Sequence, residues 1–281
     1  MYYIHILTRG LIGYFMYLNN YQYIGNHFEE ILSPLDQFEI RDLLSVDIGI
    51  LGNSHFAVTN IFLYISLATI IILSFNAINN NFGKLVPNVW SISQETTYAT
   101  IHSIVINQID DKKGQLYFPL IFSLFIFILI NNLIGMVPYS FASTSHFILT
   151  FSLSFTVVGG STILGFQKHG LKFFSLLVPA GCPLALLPLL VIIEFISYLA
   201  RNISLGLRLA ANILSGHMLL NILSGFTFNI MKMGLFYFVL GLLPLLFIIA
   251  FSGLELAIAF IQAQVFVVLS SSYISDAIHL H

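Results

Sequence analysis

The stretch ISLGLRLAANILSGH, residues 203–217, places an arginine, Arg208, at the centre of an otherwise apolar helical sequence. Long apolar runs flank the stretch on both sides and extend over residues 184–226. A charge at the centre of a membrane-spanning helix costs about 2.5–3.5 kcal/mol on insertion scales. A segment that carries such a cost is a candidate functional site, and the rest of the sequence should show how the cation is accommodated.

The composition identifies the class of protein that surrounds this arginine. The chain has 281 residues, of which 58% are hydrophobic and only 8% are charged. Soluble domains carry about 25% charged residues, so this composition predicts an all-α integral membrane protein. The net charge of −2 gives no indication of a nucleic-acid partner. The single cysteine, Cys182, excludes a disulfide or a cysteine-based metal site within this sequence, and we expect no cofactor.

Apolar runs and polar breaks divide the chain into successive segments. The first segment is rich in acidic residues, so we interpret it as a retained extension with room for short interfacial helices. The predicted order is an N-terminal extension (1–56), a first transmembrane helix (57–79), an inner-side amphipathic segment (80–115), two transmembrane helices with an inner loop (116–183), a long helical hairpin (184–276) and a tail (277–281).

Two stretches of the chain, residues 184–226 and 233–274, contain no convincing loop. Each would form a helix about 60 Å long at about 1.5 Å per residue, roughly twice the thickness of the hydrocarbon core. We therefore expect two long, strongly tilted helices, joined by a turn at residues 221–232. Two spans with a hidden turn are the alternative. The lysine distribution places segments 79–115 and 167–183 on the inner side of the membrane.

Polar residues recur along one face of the first long helix. At about 100° per residue they form a stripe about 80° wide. The stripe contains Glu194, Ser197, Arg201, Ser204, Arg208, Asn212 and Ser215. Such a stripe is predicted to face protein or water rather than lipid. On the second long helix, Glu255 and Gln262 share a face, and Asp276 lies near it.

The residue types in these helices indicate proton chemistry. A guanidinium does not release its proton near neutral pH, so Arg208 is interpreted as a fixed cation. The groups that can titrate are Glu194, His217, Glu255 and Asp276. Structural alternatives remain open, because His217 could be a satisfied core histidine, Glu194 could only pair with Arg201, and Asp276 could be solvated. By the helical wheel, His217 points about 180° away from Arg208.

Two long motifs resemble one known family. SLGLRLAANILSGHMLL, from Ser204, and GLELAIAFIQAQVF, from Gly253, together resemble subunit a of F-type ATP synthases, in its mitochondrial form. NLIGMVPYSF and SPLDQFEI are similar to that family as well. The resemblance extends from about Ser33 to Asp276 and leaves residues 1–32 uncovered. Gln264 stands where the family pattern leads us to expect an aromatic residue.

The resemblance implies a fold of several upright transmembrane helices beside a long, near-horizontal helical hairpin that faces a c-ring. It also implies a role for each polar residue. Arg208 is expected to face the carboxylates of a rotating c-ring and to separate two proton half-channels. The implied outer half-channel contains Glu255, His217, Gln262 and Asn212, and the inner one contains Glu194 and Asp276. The implied partners are the c-ring, other membrane-sector subunits and lipids such as cardiolipin. The implied location is the mitochondrial inner membrane, which the chain crosses several times, with no catalytic site of its own.

Two other functions are compatible with a polar stripe in a membrane protein. A respiratory subunit that binds haem or quinone would need axial histidines in adjacent spans, and only His217 lies well inside an apolar run. A stand-alone ion transporter usually contains internal repeats, and we find none. The stripe has no evident partner for Arg208 in this sequence, which favours a partner from another chain.

Overall fold

The computed structural model describes residues 35–48, 54–79, 88–137, 140–178 and 186–279. The described part of the chain holds six α-helices and one two-stranded sheet. The helices are α1 (Asn60–Asn79), α2 (Val89–Ile109), α3 (Asp111–Gly135), α4 (Phe147–His169), α5 (Leu187–Lys232) and α6 (Leu235–Ile278). The prediction of an all-α membrane protein is therefore confirmed, since the sheet is small.

Five of these helices are long and apolar enough to cross a membrane. The remaining helix, α2, buries Ile101, Val105 and Ile109, which are four residues apart and therefore share one face. The two long helices of the predicted hairpin are present, with 46 residues in α5 and 44 in α6. Chain composition alone sufficed for these assignments, because a helix satisfies the backbone of a long apolar run in lipid, and membrane helices tolerate internal prolines such as Pro119 in α3 and Pro244 in α6.

The turn between the two long helices lies later than predicted. The expectation that residues 221–232 form this turn is wrong, because α5 continues to Lys232. The hydroxyls of Ser224 and Thr227 donate to carbonyls of their own helix, so these polar residues do not interrupt it. The chain reverses at Gly234, whose φ of 145° suits glycine and few other residues.

The chain divides into two compact units. The first unit comprises Met1–Ser66, Asn131–Ser145 and Asn212–Ala259, and the second comprises Leu67–Ile130, His146–Ala211 and Phe260–His281. The predicted extension falls in the first unit, and its residues 1–34 lie outside the described residues. The loop residues 80–87 and 179–185 and the last two residues of the tail also lie outside them.

In the first unit, an antiparallel hairpin precedes the first helix. Strands β1 (Asp42–Ile48) and β2 (Ser54–Thr59) pair, and α1 begins directly afterwards at Asn60. The Asn60 amide donates to the carbonyl of Glu39 over 3.0 Å, so the helix start is tied to the segment before β1. This part of the extension was expected to hold interfacial helices; its described residues form a short 3-10 helix (Asp36–Phe38) and the two strands.

In the second unit, glycine allows two helices to approach closely. A Cβ added to Gly206 on α5 would lie 3.2 Å from the backbone oxygen of Thr150 on α4 and 3.0 Å from the ring of Phe151. One turn away, the Ser154 hydroxyl donates to the backbone and side-chain oxygens of Asn202, at 2.6 and 2.5 Å. These contacts bury one face of α5 against α4 and determine which face of α5 stays open.

Candidate functional site

Arg208 lies on the open face of α5 in the second unit. Its neighbours Leu205 and Leu209 are buried, whereas Ser204 and Arg208 are exposed. An open groove of about 420 Å³ runs along this face and is lined by Ala200, Ile203, Ser204, Leu207, Arg208 and Ala211. The lining is made of small and apolar side chains around one guanidinium. This geometry leaves room for a partner to approach the cation closely.

No carboxylate among the described residues lies within ion-pair distance of Arg208. A cation at membrane depth is normally paired or faces water, because desolvation without compensation is costly. The groove therefore presents a charge whose partner is not supplied by the part of the chain that the structure describes. The arrangement can bind an anionic group that arrives from outside these residues.

The rest of the predicted stripe lies on partly or fully exposed positions of α5. Ser197, Ser204 and Ser215 are exposed, and Glu194, Arg201 and Asn212 are partly exposed. The Ser215 hydroxyl donates to the carbonyl of Asn212 over 3.2 Å, within its own helix. The stripe thus follows the helical periodicity on which it was predicted. Its functional role stays a prediction.

Glu255 and His217 lie together in the first unit. Oε1 of Glu255 is 3.7 Å from Nε2 of His217, and their side chains are 6% and 16% exposed. These two residues are 38 positions apart in the sequence and come from different long helices. Each of them can gain or lose a proton, so the arrangement brings two groups capable of proton transfer together in a largely buried position.

A glycine makes this close approach of Glu255 and α5 possible. A Cβ added to Gly216, the residue before His217, would lie 2.8 Å from Oε1 of Glu255 and 3.0 Å from its carboxyl carbon. Any larger residue would displace the carboxylate. Sequence reasoning missed Gly216, because a glycine in a helix carries no signal of the distant residue that it accommodates.

Asp276 is paired with Arg201 in the second unit. Nη1 of Arg201 lies 3.2 Å from Oδ2 of Asp276, and the side chains are 36% and 41% exposed. The guanidinium carbon of Arg201 also lies 5.5 Å from the ring centre of Tyr273, which is buried. Arg201 thus pairs with Asp276, whereas the sequence leaves open a pair of Arg201 with Glu194, and Asp276 also keeps part of its exposure to solvent. Tyr273 was not singled out from the sequence.

Three polar side chains with amide groups are buried: Gln262 of α6, and Asn131 and Asn132 near the C-terminal end of α3. Gln262 is 5% exposed, in the second unit. In the first unit, Asn131 accepts a hydrogen bond from the Ser143 hydroxyl over 2.9 Å, and the Asn132 amide donates to the carbonyl of Ala259 over 3.4 Å. The signal that could have revealed these asparagines is their occurrence as an adjacent polar pair at the end of a long apolar run.

Comparison with known proteins places the chain in a family. The ATP synthase A chain family matches residues 61–275. ATP synthase subunit a of Podospora anserina is 73% identical over 249 residues, which cover 89% of this chain and 94% of that protein. The subunit a of Neurospora crassa is 73% identical over 257 residues (92% and 98%), and that of Eremothecium gossypii is 50% identical over 266 (95% and 100%). The chain belongs to the ATP synthase A chain family.

Proposed function

We propose that this chain is the proton-translocating subunit of the ATP synthase membrane sector, in the mitochondrial inner membrane. The single observation that carries the proposal is Arg208, exposed in a groove on a membrane-spanning helix, with no carboxylate within ion-pair distance among the described residues. A c-ring whose carboxylates pass this groove is the partner of matching chemistry. Family membership and relatives from fungi support the same conclusion.

In the proposed mechanism, protons reach and leave the ring through two half-channels. Glu255 and His217 serve the outer half-channel, and Glu194 and Asp276 serve the inner one. A ring carboxylate that has accepted a proton is neutral and can turn into lipid, whereas an ionised one cannot do so without a large desolvation cost. Arg208 stays charged, attracts the ionised carboxylate and prevents direct passage of protons between the half-channels.

The remaining polar residues support this path. Asn212 follows Arg208 by one turn of α5, and Gln262 follows Glu255 by two turns of α6. Both offer amide groups that can bond to water or to a carboxylate without carrying charge. Ser197, Ser204 and Ser215 are small, so they allow the ring helices to come close. A charge that crosses about 100 mV supplies about 2.3 kcal/mol for rotation.

The experiment that tests the proposal is Arg208→Ala in the assembled ATP synthase. We expect normal assembly and loss of proton-coupled ATP synthesis, measured in inverted membrane vesicles with an imposed proton gradient. Arg41→Ala is the matched control, because Arg41 is exposed and pairs only with Glu39 among the described residues. Coupled synthesis that survives Arg208→Ala would overturn the proposed function.

A further inference from the structure

Buried polar atoms without a hydrogen-bond partner among the described residues concentrate in the first unit. They are Gln37 Nε2, Asn132 Oδ1, Ser140 Oγ, Thr144 Oγ1, His217 Nε2 and Glu255 Oε1. Buried polar groups in native proteins are almost always satisfied by protein or by ordered water. The six atoms include donors and acceptors, so a molecule that satisfies them must be able both to donate and to accept.

Two contacts place the segments that carry Gln37 and Asn132 next to the His217–Glu255 pair. Phe38, the neighbour of Gln37, has its ring centre 6.2 Å from that of His217 in an edge-to-face arrangement. The Asn132 amide donates to the carbonyl of Ala259, one helical turn after Glu255. The short helix Asp36–Phe38 and the end of α3 thus both abut the residues next to the pair.

The unpartnered atoms are chemically complementary but are not bonded to one another. Gln37 Nε2 is a donor, Asn132 Oδ1 is an acceptor, and Asn132 is 0% exposed. The His217–Glu255 separation of 3.7 Å is also longer than a direct hydrogen bond. Water fits such a set, because a buried water molecule typically makes about three hydrogen bonds to otherwise unsatisfied polar groups.

We propose that Gln37 and Asn132 hold ordered water beside the His217–Glu255 pair, so that the N-terminal turn forms one wall of the outer proton path. The water accepts from the Gln37 amide and donates to Oδ1 of Asn132, and it thereby connects the pair to a hydrogen-bonded chain. Ser140 and Thr144 supply further hydroxyls at the same end of α3. Gln37 and Asn132 act as positioning residues, because they hold the water and exchange no proton themselves. This inference rests on the proposed function.

The functional test measures passive proton flux through the membrane sector of the complete complex, in vesicles stripped of the catalytic head. Gln37→Met keeps the length of the side chain and removes its polar atoms. We expect flux about fivefold lower, the effect of losing one hydrogen bond of ordinary net strength. Gln37→Asn, which retains an amide, should restore most of the flux. Gln94→Met is the matched control on α2, where the amide makes an exposed bond to Asn76.

Three outcomes separate this inference from the function on which it rests. Flux that depends on Arg208 and Glu255 but is unchanged in both Gln37→Met and Asn132→Leu overturns the inference alone. Flux lowered by Gln37→Met and not restored by Gln37→Asn assigns Gln37 a purely structural role and also overturns the inference. Flux that is independent of Arg208 and Glu255 refutes the proposed function itself.

A structural measurement keeps the inference testable if a variant fails to assemble. A map of the unaltered complex, at a resolution that shows ordered water elsewhere in the membrane sector, should contain water within hydrogen-bond distance of Gln37 Nε2 and Asn132 Oδ1. A map that resolves both side chains and ordered water elsewhere, but none at this position, would overturn the inference.

Discussion

Two acid–base pairs among the described residues have opposite character. His217 and Glu255, in the first unit, are nearly buried and lie 3.7 Å apart. Arg201 and Asp276, in the second unit, are more than one third exposed and lie 3.2 Å apart. The first pair joins two groups that can each gain or lose a proton, whereas the second joins a carboxylate to a permanent cation. The shorter distance of the second pair therefore does not mark it as a pair whose two members can exchange a proton with each other.

The two pairs differ in burial, and burial decides how strongly the loss of one partner affects stability. An exposed ion pair is screened by water, and such pairs contribute about 0–1 kcal/mol to stability. Removing one partner of a buried pair leaves the other in a low-dielectric environment, where it costs considerably more. We therefore expect substitutions in the two pairs to differ in the size and in the kind of their effects.

Among changes at the two pairs, Glu255→Gln is expected to have the largest effect on proton pumping. The substitution keeps the shape of the side chain and removes the acidic group that the proposed function assigns to the outer half-channel. Because general acid–base groups contribute about 10²–10⁴-fold, ATP-driven proton pumping should fall by about 100-fold or more. Pumping is measured by the quenching of a pH-sensitive dye in vesicles, with the amount of assembled complex as the control. Pumping at the parental rate would remove Glu255 from the path.

Gly216→Ala should produce the next largest effect, because it perturbs the geometry of the buried pair without changing its chemistry. The added Cβ would lie 2.8 Å from Oε1 of Glu255, so the carboxylate must move. Since misplacement of a catalytic group by about 1 Å can cost 10²-fold, we expect proton flux roughly 10- to 100-fold lower.

Gly225→Ala and Gly253→Ala are the matched controls for Gly216→Ala. Both glycines lie in the same long helices, and a Cβ at either position meets no atom within 4 Å. These variants should conduct protons like the parent protein. Equal losses in all three variants would show that helix propensity, rather than contact with Glu255, governs the result.

Asp276→Asn should have a smaller effect on stability than either change at the buried pair. The Arg201–Asp276 pair is half-exposed, so its loss should lower the free energy of unfolding by at most about 1 kcal/mol. If Asp276 also serves the inner half-channel, proton flux should decrease while assembly is preserved. A large loss of assembly would contradict the assignment of Arg201–Asp276 as a weakly stabilising pair.

The smallest effect is expected for raised salt concentration. Screening acts on exposed charges, since the Debye length is about 8 Å at physiological ionic strength and about 3 Å at 1 M. The stability contributed by the Arg201–Asp276 pair should therefore decline with salt, whereas that of the His217–Glu255 pair should not. Thermal denaturation of the parent protein and of Asp276→Asn, at low and at high salt, measures this contribution. The difference in thermal stability between the two proteins should shrink as the salt concentration rises.

The sequence by itself determined the properties that depend on composition and on local periodicity. The high apolar content predicted a membrane protein, and the uninterrupted runs predicted two very long helices. The 3.6-residue period placed Arg208 on a polar stripe, because the neighbours of a residue along a helix follow from its position in the sequence. The exact turn at Gly234 was missed, since polar residues before it satisfy their hydroxyls within α5.

Only the tertiary structure decided which distant residues meet. It brought Glu255 to His217 and Gly216, Arg201 to Asp276 and Tyr273, and the Asn132 amide to the carbonyl of Ala259. Each of these contacts joins segments that lie 38 or more positions apart. Their partners depend on how apolar faces pack against one another, and in an almost uniformly apolar chain the local sequence does not distinguish one packing from another.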